Sequence, residues 1–237
     1  MLRSKDVLMS SVAAELPSSR RVRQKRSQKT YDALIETTFK LLQQREFDEI
    51  SIAELAQKAG YSVGAFYARF RSKDELFDAL LAQHLEDRLT ARTRIFNAAT
   101  DDTLVSELMA DLVKYYWTRR RFWRAALIRS MKDADFWEPV RRQGLEFGAW
   151  LIERIGARAG RALTGPEQAK VRFALQLAFG TINNTIINRP GPIFMDQVLF
   201  VDQLTRAVRL VSGYDALTAS QTRPKRGVKA RPMGLRA

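Results

Sequence analysis

His84 is the only histidine in 237 residues, and there is no cysteine. Two of the side chains that most readily do chemistry near neutral pH are therefore almost missing. A lone imidazole has no second ligand for a metal and no nucleophile to activate. Asp74 and Asp78 share a helix face, but ordinary exposed helix charge explains them. A P-loop, a glycine-rich dinucleotide fingerprint and a helical H-E-x-x-H pair are all lacking. No enzyme, metal or cofactor is expected. What remains is cation chemistry: 40 Lys and Arg stand against 26 Asp and Glu, a net charge of +14.

That charge is unevenly placed. Residues 1–30 hold eight cations and two carboxylates, and residues 214–237 hold six and one. The ends thus carry +6 and +5, leaving +3 for everything between. Residues 31–84 carry six cations and nine carboxylates, or −3. Both ends lack helical periodicity or are rich in Ser, Pro and Gly, and are expected to be disordered. A basic arm, Arg20 to Arg26 with Arg23 and Arg26 foremost, runs straight into the first helix, well placed to follow a polyanion groove. The segment from Val7 to Leu16 mimics a weak signal peptide, but Asp6 and Glu15 interrupt it. No run of eighteen apolar residues would cross a membrane. With no cysteine, a cytoplasmic protein is expected.

Ser51 to Leu76 is the most ordered stretch of pattern. Ser51 with Glu54 makes one capping box and Ser72 with Glu75 another. Ile52, Leu55, Ala56 and Ala59 recur at helical spacing, and Gly60 supplies a left-handed stop. Ser62 caps a second short helix on which Val63, Phe66 and Phe70 share a face. Two short helices and a tight turn within about twenty residues form the shape that lays its second helix in a major groove. Upstream, a first helix is predicted over 28–44, with Leu34, Ile35, Thr38, Leu41 and Leu42 inward.

This segment resembles the N-terminal domain of the TetR family of bacterial transcription regulators. Ile52, Ala53, Ala59, Gly60, Ser62, Gly64, Phe66, Tyr67, Phe70, Ser72, Lys73 and Leu76 stand in the family's places. Glu46 stands where a glycine is usual, so the turn after helix one is expected to differ. The resemblance covers Arg26 to about Leu81 and implies an all-α fold. A three-helix DNA-binding domain with its helix-turn-helix would precede a larger helical domain for ligand binding and dimerisation. It also implies which side faces double-stranded DNA: Val63, Gly64, Ala65, Tyr67, Ala68, Arg69 and Lys73, with Ser51 and Ser62 at the helix starts. Only Arg69 among these could fork onto a guanine, while Val63, Ala65 and Ala68 suit thymine methyls. Tyr67 and Lys73 suit phosphates, as does the N-terminus of the helix that Lys73 begins.

Beyond residue 81 the pattern stays helical. A long helix is expected from Lys73 to Ala98, then helices near 103–117, 119–132, 139–159, 164–188 and 196–212. The resemblance implies that the last two pair with a second copy as a four-helix bundle, reading a palindromic operator as a homodimer. Their stripes, Val171, Leu175, Ala178 and Ile182, then Val201, Leu204, Val208 and Val211, suit burial within one subunit equally well. It also implies a small-molecule effector. Tyr116, Trp117, Trp123, Phe147 and Trp150 are candidates to line an apolar ligand site, and Arg119, Arg120, Arg121 and Arg124 to meet an anionic head group. The expected organisation is an arm (1–25), a DNA-binding domain (26–72), a ligand and dimerisation domain (73–213) and a basic tail (214–237). The competing reading is a non-specific DNA-compacting or polyanion-binding protein driven by its tails.

Overall fold

The computed structural model describes residues 18–219, with side chains described from Ser27 onward. Helices run in the order α1 (Ser18–Leu41), α2 (Ile52–Lys58), α3 (Val63–Tyr67), α4 (Lys73–Ala98), α5 (Leu104–Thr118), α6 (Arg120–Ser130), α7 (Glu138–Ala159), α8 (Gly165–Asn188), α9 (Val198–Ser212) and α10 (Tyr214–Thr218). A single 3-10 turn, Phe47–Glu49, follows α1, and no strand occurs among the described residues.

By packing, the described residues fall into two units. One holds those up to Thr90 together with Thr118–Phe136; the other holds Ala91–Trp117 and those from Trp137 on. The first part of α4, together with α6, therefore clusters with α1, α2 and α3. The division by role at 72 and 73 is a different division from this one.

In the first unit, Leu34, Ile35, Thr38 and Leu42 of the α1 region are buried with Ile50, Leu55, Ala56, Phe66, Phe70, Leu76, Phe77 and Leu80. The inward face of α1 is the predicted one, but the helix starts ten residues earlier. Arg, Lys and Gln from 20 to 26 are good helix formers and simply extend it. Residues 18–25 are thus helical rather than disordered; the rest of the expected arm, 1–17, lies outside the described residues. Glu46 needs no left-handed backbone (φ −72°, ψ 153°) and caps the 3-10 turn, its N–H donating to the Glu49 carboxylate at 3.2 Å. That is how the turn forms without the glycine. His84 is buried and stacked on Trp123, ring centres 4.7 Å apart.

In the second unit, Thr164 and Glu167 form the predicted capping box, and Arg189 in the left-handed region ends α8 (φ 47°). Val171, Leu175, Ala178 and Ile182 are buried within the chain, as are Leu204 and Val208 of α9. These stripes therefore serve the subunit's own core. The expected disordered tail begins too early at 214. Tyr214 is 0% exposed, its hydroxyl donating to the Asp101 carbonyl at 2.8 Å and accepting from Arg158 at 3.1 Å. The remainder of that tail, 220–237, lies outside the described residues.

Candidate nucleic-acid interface

Each short helix of the first unit is built by local chemistry. Ser51 caps α2, its hydroxyl accepting from the Glu54 N–H at 3.1 Å. The helix closes through Gly60 at φ +80°, where Gly60 N–H reaches the Gln57 carbonyl (3.0 Å) and Tyr61 N–H the Ala56 carbonyl (2.9 Å). This paired closure needs the left-handed residue between. Ser62 then caps α3 by accepting from the Ala65 N–H at 3.1 Å. Glu54 meanwhile clamps Arg45 from the turn that follows α1, with both carboxylate oxygens within 2.8 Å of one guanidinium nitrogen. The turn between the two helices is thus fixed at three points.

Orientation of α3 follows from its apolar plugs. Phe66 is 0% and Phe70 2% exposed, ring centres 5.6 Å apart. The helix itself stops at Tyr67, so Phe70 follows it rather than lying on it, held by its N–H on the Phe66 carbonyl at 2.9 Å. The opposite side is open. Val63 is 41% and Tyr67 53% exposed, Ser62, Gly64 and Ala68 are exposed, and Ala65 is half-buried. Ser51 is also exposed. This surface is small, apolar and smooth apart from the Tyr67 hydroxyl. A backbone can approach base edges closely across it, and methyl groups are the natural contacts.

The two expected cations are not offered on that surface. Arg69, half-buried, donates from Nε to the Ser27 carbonyl at 3.2 Å and from Nη1 to the Ala68 carbonyl at 2.9 Å. Lys73 donates to the Phe47 carbonyl at 2.5 Å and lies over the Phe47 ring, 4.5 Å from its centre. Burial pushes its ammonium below the ordinary lysine value, against a smaller upward pull from Asp48 and Asp74. The Ser27 and Phe47 carbonyls come from distant chain segments, which is why the pattern around residue 70 gave no sign of them. Arg71, by contrast, is exposed on the turn into α4. At the start of α4, Ser72 accepts from the Glu75 N–H at 3.1 Å, while the Glu75 carboxylate takes the Arg71 N–H at 2.6 Å. With Asp74 and Glu75 in its first turn, that helix end is already partly neutralised. Arg23 and Arg26 lie on the N-terminal part of α1, their side chains outside the described set.

The aromatic ligand candidates are divided between the two units. Trp123 belongs to the first unit, buried against His84 and Phe122. In the second unit, Trp150 packs on Phe96 (3.6 Å between ring centres) and near Phe147, which carries the Arg92 guanidinium at 4.2 Å. Tyr116 is buried, edge-on to Phe179 at 6.4 Å, and Trp117 is half-buried. A groove of about 490 Å³ lies instead between α8 and α9, and none of the five lines it. Its wall includes Leu177, Gly180, Asn184, Pro192, Gln203 and Ala207. Arg119 is paired with Asp87 at 3.1 Å and Arg121 with Glu46 at 3.5 Å, so these two do not wait for an anion. Their carboxylate partners lie on the helix and turn that α6 packs against.

Residues 34–80, the segment holding α2, α3 and the plugs beneath them, match the family described as bacterial regulatory proteins, tetR family. Over this segment the chain is similar to the TetR family. Its members are transcriptional regulators rather than enzymes. The HTH-type transcriptional regulator YwcC of Bacillus subtilis (strain 168) is 40% identical over 52 residues. That stretch is 22% of this chain and 23% of YwcC, so the chain spans under a quarter of that relative's length. Two solved structures share the TetR fold more broadly. A tetR-family regulator from Streptomyces coelicolor aligns with a TM-score of 0.59 at 19% identity, covering 81% of this chain and 83% of that one. A TetR-family regulator from Mesorhizobium loti MAFF303099 aligns with a TM-score of 0.59 at 17% identity, covering 82% and 97%.

Proposed function

We propose that this chain is a sequence-specific DNA-binding transcriptional regulator of the TetR family, working as a homodimer that represses until a small, largely apolar effector releases it. One observation carries the DNA reading: α3 stands on two buried phenylalanines and turns Val63, Gly64, Tyr67 and Ala68 outward. Base contacts come from Val63, Ala65 and Ala68 on thymine methyls, and Tyr67 gives its hydroxyl to a phosphate. Arg71 and the basic segment ahead of Ser27 supply the remaining phosphate contacts.

Dimerisation is supported by the outer faces of α8 and α9. Phe173, Leu177, Gly180 and Asn184 recur at helical spacing on α8, and Leu199, Gln203, Ala207 and Leu210 on α9, with exposed Arg206 beside the latter. Phe173, Leu199 and Leu210 are well exposed, which is unusual for side chains of that size in one run. A second copy is the occupant such a face suits, and two headpieces related by a two-fold axis read an inverted repeat. The effector is placed in the second unit, where Tyr116, Phe147 and Trp150 favour an apolar molecule.

Selection of bound duplexes from random DNA tests the whole reading. An inverted repeat is expected. Recovery without any shared sequence would instead favour a polyanion-binding protein acting through its basic ends.

A further inference from the structure

Arg69 is the cation best suited by type to read a guanine, yet it is tied to α1. Its Nε holds the Ser27 carbonyl at 3.2 Å, 42 residues upstream. One turn further on, the Tyr31 ring lies 5.3 Å from the Phe70 ring. Two successive turns of α1 are thereby fastened to the residues that directly follow α3. The Ser27 carbonyl can serve both its helix and the guanidinium, because a carbonyl oxygen has two lone pairs.

North of that fastening, α1 continues to Ser18. Those nine residues extend roughly 14 Å at 1.5 Å each. They carry Arg20, Arg21, Arg23, Lys25 and Arg26 and no carboxylate. A helix is stiff over this length, so its heading relative to α3 is set where it is tied down. We propose that Arg69 is a positioning residue: it straps α1 to the end of α3 and so aims the basic segment 18–26 along the DNA backbone, without reading a base itself. The proposal rests on α3 facing DNA.

Salt dependence separates the strap from a contact. Each phosphate contact contributes about 0.9 to the slope of log K against log salt. Losing Arg69 as a contact therefore removes about one unit, whereas losing the heading of five cations removes several. Two near-isosteric variants of the full chain divide these cases. Glutamine places its Nε2 at the same chain position as the arginine Nε, so Arg69→Gln keeps the donor to Ser27 and drops the charge. Arg69→Met keeps the length and drops both. Binding to a duplex recovered by selection is measured across a salt series, also with Arg20, Arg21, Arg23, Lys25 and Arg26 all replaced by Gln.

Expected is a slope within about one unit of the original for Arg69→Gln and a loss of about two or more for Arg69→Met. The two variants should become alike once the five cations are gone. Equal losses for Gln and Met would overturn the strap. So would a Gln–Met difference that persists without the five cations, or a changed base preference at one operator position. A parent chain that retains no duplex at all would overturn the DNA-facing assignment, and the strap with it.

Discussion

Phe66 and Tyr67 are chain neighbours with opposite environments, the first 0% and the second 53% exposed. Phe66→Ala should cost about 3–5 kcal/mol in denaturant unfolding, because it empties a closed core site. Tyr67→Phe should leave unfolding within about 0.5 kcal/mol and weaken DNA binding instead. Lys73 and Arg71 should divide in the same way. Lys73→Met loses the bond to the Phe47 carbonyl and lowers stability with an unchanged salt slope, while Arg71→Ala flattens that slope by about 0.9. Because burial holds the Lys73 ammonium below 10.5, the unfolded chain binds this proton more tightly than the folded one. Stability therefore rises with pH in the interval just below 10.5, and Lys73→Met should remove that rise in pH-dependent melts. Which residues are buried could be read from the sequence, since Phe66 and Phe70 follow the period of the core. Where Arg69 and Lys73 point could not, because their partners Ser27 and Phe47 lie 42 and 26 residues away and long cations have no periodic signature.

Helix starts carry their own signals, and these were legible. Ser51, Ser62, Ser72 and Thr164 all cap where serine or threonine with a carboxylate three residues on predicts a start, Ser62 alone lacking the carboxylate. Ser62→Ala should cost about 1 kcal/mol and fall mainly on α3, which has only five residues to hold its place. The box on α8 adds a pH test. The Arg161 guanidinium, then the Thr164 N–H, hold the Glu167 carboxyl down to about 2 from its ordinary 4.5. A carboxyl held lower when folded stabilises above its unfolded value and loses that contribution as pH falls toward 2. The melting difference between the parent and Glu167→Gln should thus be full at neutral pH and fade between about 4.5 and 2. Two stretches at the chain's ends were not legible. The first turns of α1 are extended by propensity alone, and α10 exists because Tyr214 finds Asp101, 113 residues away in sequence, and Arg158.

Across the whole chain, net charge and exposed apolar side chains are both unevenly placed. The basic excess sits at the ends, and Phe173 on α8 with Leu199 and Leu210 on α9 stand exposed. If these side chains meet a second copy, Phe173→Glu with Leu210→Glu should shift the sedimenting species from dimer to monomer without loss of helix by circular dichroism. An unchanged dimer would place the interface elsewhere. Fold class and the existence of the short α3 were both readable from sequence, whereas the groove between α8 and α9 was not. It depends on how two stripes, each individually compatible with a core, leave their remaining sides uncovered. The most direct test concerns α3 itself. In a selected operator, each thymine is replaced in turn by deoxyuridine, which removes only the C5-methyl group. Expected is a loss of about 0.8 kcal/mol, roughly fourfold in affinity, at each thymine that Val63, Ala65 or Ala68 touches. Val63→Ala should shrink that loss at one position. Full affinity for every uracil-substituted duplex would mean that α3 does not lie against base edges.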